Sequence, residues 1–369
     1  MHNHITPMDP AHQALFASLA NLSAAELKAR SVVLLHRLLA QPNQPWDQAQ
    51  STQFFYAVAQ GAVDDAVLAS ALTVLKLQGE HSDVLSGAAR AFRYLATPFP
   101  TPRADTFDCC GTGGDGSNTI NISTTAAIVA ASMGIPMVKH GNRSVSSQSG
   151  SADLLQALGI AIEQSPADAA TQLAVHGFSF LFAPHYHAGV KHAMPVRQAL
   201  KTRTLFNLLG PLLNPAAPQY QLLGVYDPAL LPRMAETLIQ LGVQRGWVVH
   251  GEGCDEIGLH GVTLVASIDQ GQLRFFSLSA ADFGLPQVGL NELQGGDPAH
   301  NAAASLAILH GTAPRAHQYA IAANVAAMLL IYRDLDLSQL PTLTQEVLQH
   351  LAAGHAAAYL PRLLGERHA

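Results

Sequence analysis

Residues 106–124 read TFDCCGTGGDGSNTINIST, and the fold turns on what this stretch is. TFDCC has the look of a strand end, and Gly111, Gly113 and Gly116 satisfy the GxGxxG spacing of a dinucleotide-binding loop. That spacing alone carries little weight. A dinucleotide loop needs an acidic residue about 20 positions beyond its glycines to hold the ribose hydroxyls. Between Asp115 and Asp153 the chain has no Asp or Glu, which weakens the nicotinamide reading. The same interval holds Lys139, His140, Gly141, Arg143 and Gly150 among many Ser, Thr and Asn side chains. Abundant donors with only positive charge suit a phosphate group laid against exposed backbone N–H groups.

On the C-terminal side, short β-rich runs (FDCC, IPMVKH, FSFLFA, YQLLGVYD, GWVVHG) alternate with helical stretches such as PADAATQLAVHG and PALLPRMAETLIQLG. Alternation of this kind builds a mostly parallel sheet covered by helices on both faces. Ligands of such sheets sit beyond the carboxyl ends of the strands, and both GTGGDG and KHGNR follow a strand directly. A third element, GCDEIG, sets Asp255 and Glu256 side by side after GWVVHG. Two carboxylates that leave room for substrate phosphates are what Mg²⁺ prefers.

On the N-terminal side the pattern is helical throughout. Ser23 and Glu26 form an S-x-x-E capping box before VVLLHRLLAQ, and Pro42 with Pro45 ends that helix. STQFFYAVAQG and DDAVLASALTVLKLQGE repeat the pattern, and TPFPTP, with Pro98, Pro100 and Pro102, then reads as a linker. The expected organisation is a helical domain over residues 1–100, its first thirty or so an extension, followed by an α/β domain over 101–369; helices near 190–213 are expected to pack with the first.

Composition limits the function classes. At 369 residues, 49% hydrophobic and 12% charged, the chain is globular and rich in buried helix. A net charge of -6 offers no footprint for bulk nucleic acid. Eighteen histidines swing the charge positive in acid, which reads as solubility chemistry. Cys109 and Cys110 are adjacent and Cys254 is remote, with no CxxC spacing, so a reducing cytoplasm fits. No apolar run approaches a membrane span of about 18 residues, so neither membrane insertion nor export is expected.

Five ordered stretches, GTGGDGSNTINIST, KHGNRSVSSQSGSADLLQALG, FLFAPHYH, PVRQALKTRTLFNLLGPLLNP and GCDEI, resemble the anthranilate phosphoribosyltransferase family of tryptophan biosynthesis, and KLQGE in the helical part matches as well. The resemblance runs from about Leu34 to the C-terminus. It implies a small all-helical domain joined to a larger α/β domain of the nucleoside phosphorylase/phosphoribosyltransferase type, a cytoplasmic homodimer, and an active site at the hinge. It also implies transfer of the phosphoribosyl group from phosphoribosyl pyrophosphate to the amine of anthranilate.

Carried over position by position, the resemblance gives phosphoribosyl pyrophosphate to Gly111, Gly114, Asp115, Thr119, Asn121, Ile122, Ser123 and Thr124 on the glycine loop. Lys139, His140, Gly141, Asn142, Arg143, Ser146, Ser147 and Ser151 hold it from the second loop. Ser123, Asp255 and Glu256 take Mg²⁺, and Gly111, His140, Asn142, Tyr186, His187 and Arg197 face anthranilate. Lys139, Arg197, Asp255 and Glu256 are the expected catalytic residues. Arg197 is the specificity element, since a planar guanidinium grips a carboxylate with paired hydrogen bonds. His185, His187 and His192 in HYHAGVKH otherwise invite a transition-metal reading, but no cysteine or carboxylate motif accompanies them. The chain departs from the family at Gly189 and Val190, where an alanine-methionine pair is usual, and at Lys201, where glycine is common. Rival readings are a pyrimidine nucleoside phosphorylase, which would lack the aromatic-acid clamp, and a non-catalytic nucleic-acid-binding relative, which would need a basic groove.

Overall fold

The computed structural model describes residues 9–101, 103–144 and 148–364. His2, His4, Pro102, Ser146 and Ser147 lie outside the described residues. Five helices open the chain: α1 (Pro10–Ala20), α2 (Ala24–Ala40), α3 (Gln48–Ala59), α4 (Asp65–Gln78) and α5 (Ser82–Tyr94). Then come β1 (Phe107–Gly111), α6 (Ile122–Ser132), β2 (Met137–Gly141), α7 (Ser151–Ala157), α8 (Pro166–His176) and β3 (Phe178–Phe182). Short helices α9 (Ala183–Tyr186), α10 (Met194–Leu200) and α11 (Phe206–Leu209) precede β4 (Tyr220–Gly224), α12 (Leu231–Gln240), β5 (Arg245–Gly251), β6 (Thr263–Asp269) and β7 (Gln272–Leu278). The chain closes with α13 (Pro298–Leu309), α14 (Arg315–Arg333), α15 (Leu340–Ala352) and α16 (His355–Leu363).

Two compact units result. One holds residues up to Pro98 together with Pro184–Ala217 and Glu236–Gly242; the other holds Phe99–Ala183, Pro218–Ala235 and Val243 onward. The helical unit is an aromatic core of Phe16, Phe54, Phe55, Phe92 and Phe206, each buried. Its α2 begins with the expected capping box: Ser23 N–H donates to Glu26 Oε2 at 2.8 Å and Glu26 N–H to Ser23 Oγ at 3.3 Å. Among the described residues of the N-terminal extension, α1 is held by Phe16 stacked on Tyr94 with ring centroids 4.0 Å apart. A stacked pair of this kind adds to the area both rings bury.

The second unit is a sheet in the order β3-β2-β1-β4-β5-β6-β7. The first five strands pair in parallel, and β5-β6-β7 are antiparallel. The inner strands read almost continuously apolar because helices cover both faces: all of β3, FSFLF, is buried. β6 and β7 were not among the expected strands. They form a hairpin through Gln270 and Gly271, both with positive φ (47° and 81°), as a two-residue turn with the strands' own twist requires. α14 is buried nearly all round and forms the centre of the helical cover. Among the described residues no helix is long and apolar enough to cross a membrane.

Candidate active site

The chain runs from β1 to β2 to β3 on one side of β1 and returns with β4 on the other. Strand order therefore reverses at the carboxyl ends of β1 and β4, the position where open α/β sheets bind ligands. Gly111 and Gly224 end these strands as register partners. The segment carrying Asp255 crosses directly over them: a Cβ at Gly111 would overlap the Asp255 carboxylate, and one at Gly224 its carbonyl oxygen. These glycines bring the acidic turn down onto the glycine loop.

The loop takes left-handed backbone at Gly113, Gly114 and Gly116 (φ 69°, 76° and 79°), a run that side chains would strain. Gly113 N–H donates to Asp255 Oδ2 at 2.6 Å, and Asp255 N–H donates to Asp115 Oδ2 at 3.2 Å. Asp115 also accepts from Ser117 N–H (3.1 Å) and Ser117 Oγ (2.7 Å), so it closes the turn from within. Ser123, in the first turn of α6, donates its N–H to Glu256 Oε1 at 3.1 Å. Glu256 thus caps a helix from 133 residues away, where the macrodipole favours negative charge. The loop was expected to offer its amides to phosphate; the amides of Gly113 and Ser123 instead serve these two carboxylates.

Lys139 is not on the loop surface. Only 2% exposed, it reaches from β2 under the loop, where Nζ donates to the Cys109 carbonyl at 2.5 Å and to Ser123 Oγ at 3.4 Å. Burial opposes its charge, but neighbouring Cys109, Asp108, Cys110 and Glu256 hold its pKa above the ordinary lysine value. Burial pushes the pKa of the Cys109 thiol up to about 12 and raises that of Cys110 as well, so neither thiol supplies the counter-charge to Lys139.

Asp255 and Glu256 are pushed well above the carboxylate range, first by burial and then by a neighbouring acid, Asp115 for Asp255 and Asp255 for Glu256. Lys139 offsets only part of this for Glu256, and a divalent cation would supply the rest of the counter-charge. Among the described residues no three Asp, Glu, His or Cys side chains gather as a metal cage. Two adjacent carboxyls, with Glu256 on the backbone N–H of Ser123, are an open set of hard oxygen donors, which fits a cation that completes its shell with water and phosphate.

The second loop is organised by a residue that sequence reasoning passed over. Asp153 Oδ2 accepts from the backbone N–H of Ser144 and of Gly150, both at 3.0 Å, and Oδ1 pairs with Arg143 at 3.0 Å. Burial opposes its charge, yet these bonds hold its carboxyl below the usual range. The signal was in plain view: Asp115 and Asp153 bound the acid-free interval, and each closes one of the two loops. Arg143 also reaches Gln156 Oε1 at 2.7 Å, and Ser151 Oγ donates to the Asn142 carbonyl at 3.3 Å. His140, Ile122 and Thr124 are buried, while Gly114 and Asn142 are exposed. Thr119 bridges to Gln294, and Gly141 packs so closely on Ser151 that a Cβ there would overlap its hydroxyl.

Tyr186, His187 and Arg197 belong to the helical unit. His187 is 6% exposed, and burial pulls its pKa down to about 4, so it stands as a neutral imidazole. Arg197 lies on α10 with its guanidinium 5.6 Å from the Phe206 ring and, among the described residues, no carboxylate partner. Gly189 packs on α3: a Cβ there would sit 2.7 Å from the Ala59 carbonyl oxygen. Lys201 caps α10 in the left-handed region (φ 47°), which is why glycine is the residue the backbone favours there.

Residues 103–357 match the a/b domain of the glycosyl transferase family and residues 32–96 its helical bundle domain, so the chain is a two-part glycosyl transferase. It is 57% identical over 289 residues to the anthranilate phosphoribosyltransferase of Pseudoalteromonas translucida, covering 78% of this chain and 81% of that one. The anthranilate phosphoribosyltransferase of Thermus thermophilus superposes with a TM-score of 0.83 at 38% identity, over 90% of this chain and 98% of the other. The Saccharomyces cerevisiae enzyme in complex with PRPP and Mg gives 0.81 at 26% identity, over 91% and 97%. The chain belongs to the anthranilate phosphoribosyltransferase family, pentosyltransferases of tryptophan biosynthesis.

Proposed function

We propose that the chain transfers the 5-phosphoribosyl group from phosphoribosyl pyrophosphate to anthranilate. The carbon–oxygen bond to pyrophosphate breaks, a carbon–nitrogen bond to the amine forms, and the amine releases a proton. The observation that carries this reading is the convergence of Asp255 and Glu256 on the amides of Gly113 and Ser123, above the buried ammonium of Lys139. Ser123, Asp255 and Glu256 hold Mg²⁺, which when bound stabilises the negative charge that develops on departing pyrophosphate. Lys139 adds positive potential from beneath and fixes the Ser123 hydroxyl.

The exposed face of the glycine loop and the loop from His140 to Ser151, Ser146 and Ser147 included, hold the donor. Asp115 accepts from ribose hydroxyls with whatever capacity its turn leaves. Arg197 grips the anthranilate carboxylate, with the Phe206 ring beneath its planar guanidinium. Asn142, Tyr186 and His187 complete the acceptor's surroundings. Anthranilate's amine is nucleophilic when neutral, so orientation does the work of a strong base.

The same reading makes the chain a cytoplasmic homodimer; its three cysteines are free thiols, and a sedimentation experiment tests the dimer. The reaction is tested by anthranilate fluorescence with phosphoribosyl pyrophosphate and Mg²⁺. Loss of signal that needs the donor and stops with chelator is expected; no loss at high enzyme concentration overturns the proposal.

A further inference from the structure

The glycine loop is backed by a segment that none of the expected motifs contains. Gly295 N–H donates to the Asn118 carbonyl at 2.8 Å, Ile120 N–H to the Leu293 carbonyl at 2.9 Å, and Thr119 forms an antiparallel bridge with Gln294. A Cβ at Gly295 would overlap the Thr119 carbonyl oxygen, so this contact depends on glycine. Beyond it, α13 faces α6 with a polar ladder set in an apolar core. Asn301 Nδ2 donates to Asn121 Oδ1 at 2.8 Å, and one turn further on Ser305 and Thr125 share a hydrogen bond of 2.7 Å. Asn301 is 2% exposed and Ser305 1%.

The direction of the Asn301–Asn121 bond is set by backbone at both ends. Gly296 N–H, which can only donate, meets Asn301 Oδ1 at 2.8 Å, and this turns the Asn301 amide nitrogen toward Asn121. Asn121 must then accept through Oδ1, which leaves its Nδ2 for the Ser149 carbonyl at 2.9 Å, a group that can only accept. One orientation of two amides satisfies all three bonds. Ser149 lies in the second loop, so the chain of bonds runs from α13, through the start of α6, into the loop closed by Asp153.

We infer that Asn301 is a positioning residue for the phosphoribosyl donor: by fixing the Asn121 amide it holds the two donor-rich loops in register. This rests on the reading of those loops as the donor site. Asn301→Asp keeps the shape and the bond from Gly296 but loses the donor. Asn121 then turns its Nδ2 to the new carboxylate and presents Oδ1 to the Ser149 carbonyl, oxygen against oxygen.

The test is calorimetric binding of phosphoribosyl pyrophosphate with Mg²⁺ to the folded full chain. Asn301→Asp is expected to weaken binding by about tenfold or more, the cost of an unsatisfied buried polar contact. In an Asn121→Ala background the same substitution is expected to add almost nothing, since both act through one bond. Ser305→Ala, which loses the parallel Thr125 bond, is expected to lower the thermal midpoint and leave donor affinity unchanged. If Asn301→Asp does not fold, Asn301→Ala carries the same expectation. Donor affinity equal to the parent chain, or a full added loss on Asn121→Ala, overturns the inference. Absence of donor binding by the parent chain is a separate result that removes the donor-site reading itself.

Discussion

Arg197 has its guanidinium over the Phe206 ring and no carboxylate partner among the described residues, so truncating it removes little from the fold and, on the proposed reading, one charge-assisted grip from the acceptor. Arg197→Ala is expected to raise the anthranilate KM by roughly tenfold to a hundredfold, with a smaller effect on the donor. An unchanged anthranilate KM sinks the assignment. His187 makes a different prediction, about stability. In the unfolded chain its imidazole takes a proton below about pH 6.5, whereas burial delays this in the folded protein to about pH 4. Its contribution is therefore complete above about pH 6.5 and is lost as pH falls toward 4, with a depression of that size worth on the order of 3 kcal/mol. Unfolding midpoints in denaturant between pH 7 and 4.5 should fall less steeply in His187→Gln; parallel profiles reject the claim. Sequence could nominate Arg197, Asp255 and Glu256, because their side-chain types declare a chemistry. It could not nominate Asp153 and Asn301, because their roles are hydrogen bonds to backbone that only the fold brings near.

At the scale of elements, the clearest case is the end of α10. Lys201 sits at φ 47°, a conformation that costs a residue with a Cβ about 1–2 kcal/mol, against a smaller entropic cost of glycine in the unfolded chain. Lys201→Gly is expected to stabilise the protein by about 0.5–1 kcal/mol, seen as a higher thermal midpoint; a lower midpoint contradicts the argument. The departure noticed in sequence is thus a tolerated strain at a helix cap. The five parallel strands were legible because each is a short apolar run bounded by glycine or a helix. The β6-β7 hairpin was not, since TLVASID and QLRFFSL are joined by Gln-Gly in place of the Asn-Gly or Asp-Gly that advertises such a turn.

For the whole molecule, the acidic turn links ligand to stability. Asp255 and Glu256 are raised by burial and by acidic neighbours in the protein alone, so a cation and its phosphates relieve a repulsion that folding creates. Phosphoribosyl pyrophosphate and Mg²⁺ together at a hundred times the dissociation constant should stabilise the chain by about 2.7 kcal/mol. Scanning calorimetry with and without chelator checks this, and equal stabilisation in chelator refutes the metal's part.

Hydrophobic periodicity, strand and helix alternation and ordered motifs are local in the chain, and by themselves they determined a helical part, an α/β part, a strand-end loop and the family. The tertiary structure decided which amides remain for a ligand, because Asp255 and Glu256 arrive at Gly113 and Ser123 from more than a hundred residues away. It also decided that Lys139 lies beneath the loop and that Asn301 donates a hydrogen bond to Asn121. Those facts depend on which strands lie side by side and which glycines let backbones meet, and no spacing within one stretch of sequence encodes them.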